Sequence, residues 1–142
     1  MEDCRLYVAG GCQEICLSNE VNSRAYTYLN LVQMLNGSLY PEYWNDIFKR
    51  DGFEFLPTAD ACDFEEFYHI VIENYRNELN FFVKKYNEYG SWWKIINPSL
   101  FFSATMPSCT EVAKDVSEGG AVYNTDNFAA AGVGTVIDSL YA

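Results

Sequence analysis

Tyr7-Val8-Ala9-Gly10-Gly11-Cys12-Gln13-Glu14 and Cys109-Thr110-Glu111-Val112-Ala113-Lys114-Asp115-Val116-Ser117-Glu118-Gly119-Gly120-Ala121-Val122-Tyr123-Asn124 are the two stretches whose reading decides the fold of this chain. In the first, residues 3–9 are apolar enough to enter a loop as a strand. Gly10-Gly11 then forces a turn, because glycine takes positive φ freely. Cys12 follows directly and is expected at or near a loop tip. Glu14, two residues on, faces the same space if the segment is extended, since side chains two apart share a face. Taken alone, a cysteine beside an acid is more often a buried structural thiol and a surface carboxylate than a reactive pair.

Composition narrows the remaining classes. At 142 residues, the chain reads as one domain. Apolar residues make up 49% and aromatics 17%. In so short a chain that implies either tight packing or apolar surface meant for other contacts. Net charge is −11, from 20 acidic and 9 basic residues, which argues against nucleic-acid or anionic-membrane partners. No apolar run reaches the about 18 residues of a membrane span. The acidic start, Met1-Glu2-Asp3, lacks the order of a signal peptide, so the expected location is cytoplasmic. Cys4, Cys12, Cys16, Cys62 and Cys109 are odd in number and contain no Cys-x-x-Cys pair. Together with a single histidine, His69, this argues against a disulfide framework, a zinc site and a cysteine-protease dyad, and no bound metal is expected.

Periodicity sets out the elements. A helix is expected from Asn22 or Ser23, with Ala25, Tyr28, Leu29, Val32 and Leu35 on one face and Gly37 as its stop. Pro41 opens a short helix within 40–50, and 51–62 read as loop. Asp63-Phe64-Glu65-Glu66 is a capping box that opens the longest helix, over 64–89. Gly90-Ser91 predicts a break, and Trp92–Ile96 a second segment. Asn97-Pro98 predicts a helix over Ser99–Met106, followed by another over 109–115. Ala121–Asn124 reads as a strand. Gly132-Val133-Gly134 reads as a turn, and 133–141 as the last helix. The mixture is α/β and helix-rich.

Gly11-Cys12-Gln13-Glu14 resembles the Gly-Cys-x-Glu finger loop of the glycyl radical enzymes of the pyruvate formate-lyase-like superfamily. Glu2-Asp3-x-Arg5-x-Tyr7 resembles the run that precedes that loop, and the string from Cys109 to Asn124 matches independently. The resemblance implies that residues 1–142 are one partial domain: the cysteine-loop part of a ten-stranded α/β barrel, with the finger loop near the N-terminus. It implies Cys12 as the thiyl radical and Glu14 as general acid or base. A thiyl radical can break an unactivated C–H bond and needs a dry cavity. A carboxylate held there has a raised pKa, which suits proton transfer.

The resemblance also implies the wider machinery. The radical is stored on a glycine in a C-terminal Arg-Val-x-Gly-Tyr segment that this sequence lacks, and a radical SAM activating enzyme installs it. No cofactor is bound by the chain itself. The partners implied are a small-molecule substrate, that activating enzyme and a second copy of the full enzyme as a homodimer. Cys-x-Glu points to a lyase: a dehydratase, another C–X eliminase or a decarboxylase. Formate acetyltransferase, which has adjacent cysteines, is an alternative, as is a non-catalytic binding or assembly module that kept the fold. Gln13, Ile15 and Val122 depart from the family pattern, and so does Thr125–Ala131.

Overall fold

A computed structural model describes residues 7–10, 14–17, 21–48 and 51–142, with side chains from residue 21 onward except those of 24–26. Two β-strands, β1 (Tyr7–Gly10) and β2 (Glu14–Leu17), pair antiparallel. A third strand, β3 (Val21–Asn30), pairs with β4 (Tyr123–Ala131). Six helices are described: α1 (Leu31–Leu39), α2 (Pro41–Phe48), α3 (Phe64–Ile96), α4 (Leu100–Ser103), α5 (Pro107–Val112) and α6 (Val133–Tyr141). The α/β expectation stands. The closed barrel and the placement of Cys12 lie beyond the described residues. No helix among them is long and apolar enough to cross a membrane.

The chain forms two compact units. One joins Met1–Thr27 to Tyr86–Phe128, and the other joins Tyr28–Lys85 to Ala129–Ala142. In the second unit, Leu35 of α1, Val71 of α3 and Val136 of α6 form the core, with Phe67, Tyr75 and Leu140 packed around it. Asn74 is fully buried on the same face of α3 as Val71. Its Nδ2 donates to Ser38 Oγ and to the Leu56 carbonyl, each at 2.9 Å, and its Oδ1 accepts from the Leu56 N–H at 2.7 Å. One side chain thus satisfies the backbone of a loop that has no ladder of its own. Phe53, Phe55 and Phe81 finish this side with edge-on and tilted ring contacts.

In the first unit, Met106, Cys109, Val116 and Ala121 form a separate small core. Trp92, Ile95, Ile96, Leu100 and Phe102 are exposed, and Phe101 is 94% exposed. Of the two outcomes the aromatic-rich composition leaves open, tight packing or exposed apolar surface, these residues show the second.

Several boundaries differ from the sequence reading. Residues 21–30 form a strand rather than a helix. Val21, Tyr26, Thr27 and Tyr28 favour extended backbone, and pairing with β4 supplies the hydrogen bonds that a helix would otherwise make. The helix starts later, capped by Asn30, whose side chain accepts from the Gln33 N–H at 3.1 Å. Gly37 is no stop. It lies inside α1, where a Cβ would overlap the Phe55 ring, so it permits close packing. α3 runs through Gly90-Ser91 without a break, for 33 residues. The cost of one helical glycine, about 1 kcal/mol, is small against the hydrogen bonds of a continuous helix. Ser99–Met106 contracts to the single turn of α4, and Pro107 opens α5 instead. The strand expected over Ala121–Asn124 starts later, at Tyr123, and runs on to Ala131.

The capping box forms in part. The Glu66 N–H donates to Asp63 Oδ1 at 2.9 Å, but the Glu66 carboxylate accepts from the Cys62 N–H rather than from Asp63. Pro41 opens α2, Gly132 caps α6 at φ 83°, and α6 covers the residues expected.

Candidate functional site

The pairing of β1 with β2 places Tyr7 opposite Leu17, Val8 opposite Cys16, Ala9 opposite Ile15 and Gly10 opposite Glu14. Gly11, Cys12 and Gln13 fall between the last paired residues, and Cys12 lies outside the described residues. Glu14 opens β2 as backbone, and its side chain is also outside the description. Cys16 belongs to β2. His69 is an exposed position on α3.

The downstream string belongs to the same compact unit as this hairpin. Its side chains build a tight turn after α5, centred on Asp115, which is buried. The Asp115 carboxylate accepts from the Ser99 N–H at 3.2 Å, from Ser103 Oγ at 2.8 Å, from the Ser117 N–H at 2.8 Å and from the Ser117 hydroxyl. The Ser117 hydroxyl, helped by the Ser117 N–H, Ser103 and the Ser99 N–H and opposed by burial, holds its pKa down at about 2.

The glycines of the string are equally constrained. Gly119 adopts φ 83°, which favours glycine. A Cβ on Gly120 would overlap the Lys114 carbonyl oxygen and come within 2.9 Å of Cys109 Sγ. Asn124 Nδ2 closes the turn by donating to the Ala121 carbonyl at 2.9 Å. Cys109, Asp115, Gly119, Gly120 and Asn124 are therefore spaced to make this turn, and Cys109 fills its core. A cleft of about 390 Å³ beside it is lined by Lys94, Lys114 and Glu118, so both signs of charge face it.

The sequence did not single out Glu78. It is 5% exposed on α3, and its Oε2 has no hydrogen-bond partner among the described residues. Burial raises its pKa to about 7. Burial, then the charge of Glu78, raises the Tyr75 phenol to about 12, and Tyr75 donates to the Leu31 carbonyl at 2.9 Å. The only sequence signal was its spacing from Val71 and Asn74 on one helix face.

A family model described as pyruvate formate lyase-like matches residues 1–142. The chain is 31% identical over 150 residues to trans-4-hydroxy-L-proline dehydratase of Clostridioides difficile, a match that takes in 100% of this chain and 18% of that protein. The crystal structure of hydroxyproline dehydratase from Clostridioides difficile, with trans-4-hydroxy-L-proline bound, aligns with a TM-score of 0.81 and 26% identity, over 98% of this chain and 18% of that one. The structure for 1,2-propanediol dehydration in Roseburia inulinivorans aligns with a TM-score of 0.83 and 22% identity, over 99% and 18%, a likeness of fold. The chain thus spans under a fifth of the length of these relatives.

Proposed function

Since the chain belongs to the pyruvate formate lyase-like family of glycyl radical enzymes, we propose that it supplies Cys12 as the thiyl radical and Glu14 as the general acid–base group of a dehydratase. The observation that carries this reading is the likeness, along the whole chain, to trans-4-hydroxy-L-proline dehydratase. The pairing of Gly10 with Glu14 adds support, since it leaves three residues between paired strands with Cys12 the central one. A short glycine-led connection suits a thiol that must enter a confined cavity.

The substrate is a small molecule with a hydroxyl on the carbon next to the C–H bond that is broken. The Cys12 sulfur takes a hydrogen atom, forming S–H and leaving a carbon radical. Glu14 passes a proton from substrate to the departing hydroxyl, which leaves as water. The product radical then takes the hydrogen atom back from Cys12, which restores the thiyl. The radical reaches Cys12 from a glycine elsewhere in a longer polypeptide, where a radical SAM activating enzyme installs it. The exposed apolar stretch from Trp92 to Phe102 supports a chain that packs against further polypeptide.

The test grafts residues 1–142 into the full-length hydroxyproline dehydratase in place of its matching segment. Electron paramagnetic resonance and substrate turnover are read together. Cys12→Ser is expected to keep the glycyl radical signal and abolish turnover, because an alkoxyl radical is much harder to form. Glu14→Gln is expected to keep the signal and lower turnover by roughly 10²–10⁴-fold. Turnover by the Cys12→Ser graft equal to that of the unsubstituted graft would end the proposal.

A further inference from the structure

We propose that Asn22 is a positioning residue for the cysteine hairpin, tying the strand that leaves it to the turn built by the downstream string; this rests on the reading of Cys12 above. Asn22 lies five residues beyond the end of β2, at the start of β3. Its Nδ2 donates to the Val116 carbonyl at 3.2 Å, across 94 residues of sequence, and lies 3.5 Å from Asn124 Oδ1. The next residue is tied in the same way, with Asn127 Nδ2 donating to Ser23 Oγ at 2.6 Å.

The acceptor is itself firmly held. Val116 is 5% exposed, and its N–H donates to Ser103 Oγ at 2.8 Å. Ser103 Oγ in turn donates to Asp115 Oδ2 at 2.8 Å. A continuous path of hydrogen bonds therefore runs from Asn22 through Val116 and Ser103 to the Asp115 carboxylate. The hairpin and this turn belong to one compact unit. An isolated two-stranded hairpin is marginal in water and needs support from outside its own ladder. The Asn22 contact ties the chain to this turn five residues beyond the end of β2, which offers a physical reason for the joint occurrence of the two strings. Positioning matters here because hydrogen transfer to sulfur is steeply sensitive to small displacements.

The test has two arms, each with Asn22→Ala and Asn22→Gln. In the 142-residue chain, amide hydrogen exchange is followed over residues 7–10 and 14–17 and, as a reference, over α1. Asn22→Ala is expected to speed exchange in the hairpin by about two- to tenfold, the value of one net hydrogen bond, with α1 unchanged. Asn22→Gln, which keeps an amide donor, is expected to recover part of that protection. Unchanged hairpin exchange, or an equal rise in α1, would overturn the proposal. In the grafted dehydratase, Asn22→Ala is expected to lower kcat by a similar factor with KM and the glycyl radical signal unchanged, and Asn22→Gln to restore part of it. An unchanged kcat would also overturn the positioning role. If hairpin exchange responds while the Cys12→Ser graft still turns over, the anchor stands and the Cys12 reading fails, so the two ideas are separable.

Discussion

Replacing Glu78 by glutamine should stabilise the chain above neutral pH and change little in mild acid. Glu78 is buried, its Oε2 has no partner among the described residues, and its pKa is raised from 4.5 to about 7 by burial. The folded state therefore holds a proton that the unfolded chain releases near pH 4.5. Between those values the native state binds more protons, so stability falls as pH rises and the loss is complete above about pH 7. A difference of about 2.5 pH units corresponds to about 3 kcal/mol. Glutamine keeps the size of the side chain and removes the ionisation. Urea unfolding followed by circular dichroism at about pH 5 and pH 8, on either side of the raised pKa, measures the effect. The rest of the chain is strongly acidic and contributes its own pH dependence, so the informative quantity is the variant minus the parent at each pH. That difference should grow by about 2–3 kcal/mol in favour of Glu78→Gln between the two pH values. A difference that stays constant across this range would refute the argument that Glu78 ionises at a cost inside the fold.

Asp115→Ala should destabilise by about 2–4 kcal/mol in urea unfolding at neutral pH, since the partly buried Ser99 N–H and the buried Ser117 N–H each lose an acceptor, the buried one worth about 1–3 kcal/mol. Because the Asp115 pKa is held down at about 2, its contribution is present above about pH 4 and is lost as pH falls toward 2, so acid unfolding should be shallower in Asp115→Ala. Gly120→Ala should cost about 1–3 kcal/mol, because its Cβ meets the Lys114 carbonyl and Cys109 Sγ. Gly134→Ala, with open space around the Cβ inside α6, should be neutral or stabilising by up to about 1 kcal/mol in the same melts.

Local chemistry that needs no distant partner was legible from the residues themselves. Asp63 takes the Glu66 N–H, Pro41 starts a helix, Gly132 takes positive φ, and the 3.6-residue period of Phe67, Val71 and Tyr75 carries the long helix. The two strings identified the family, because so many residue types stand at fixed spacing, and those of the second are jointly required by one turn. For the turn, those requirements are steric and electrostatic, as the tight space at Gly120 and the bonds around Asp115 show.

Only the tertiary structure decided which elements were helix or strand where local preference was balanced. Val21–Asn30 carries a helical apolar spacing and also strand-forming side chains, and pairing with β4, far along the chain, settles it as a strand. Gly37 had the look of a stop until the distant Phe55 ring packed against it. Gly90 is carried inside α3 because a continuous helix keeps its backbone bonds. The roles of Asn22, read from sequence as a helix cap, and of Asn74 and Glu78 were not legible, because their partners, or the lack of one, depend on segments brought together by folding. The pattern of one chain records the preferences of each residue for its neighbours. Which distant groups meet, and which buried group meets none, is set by long-range packing.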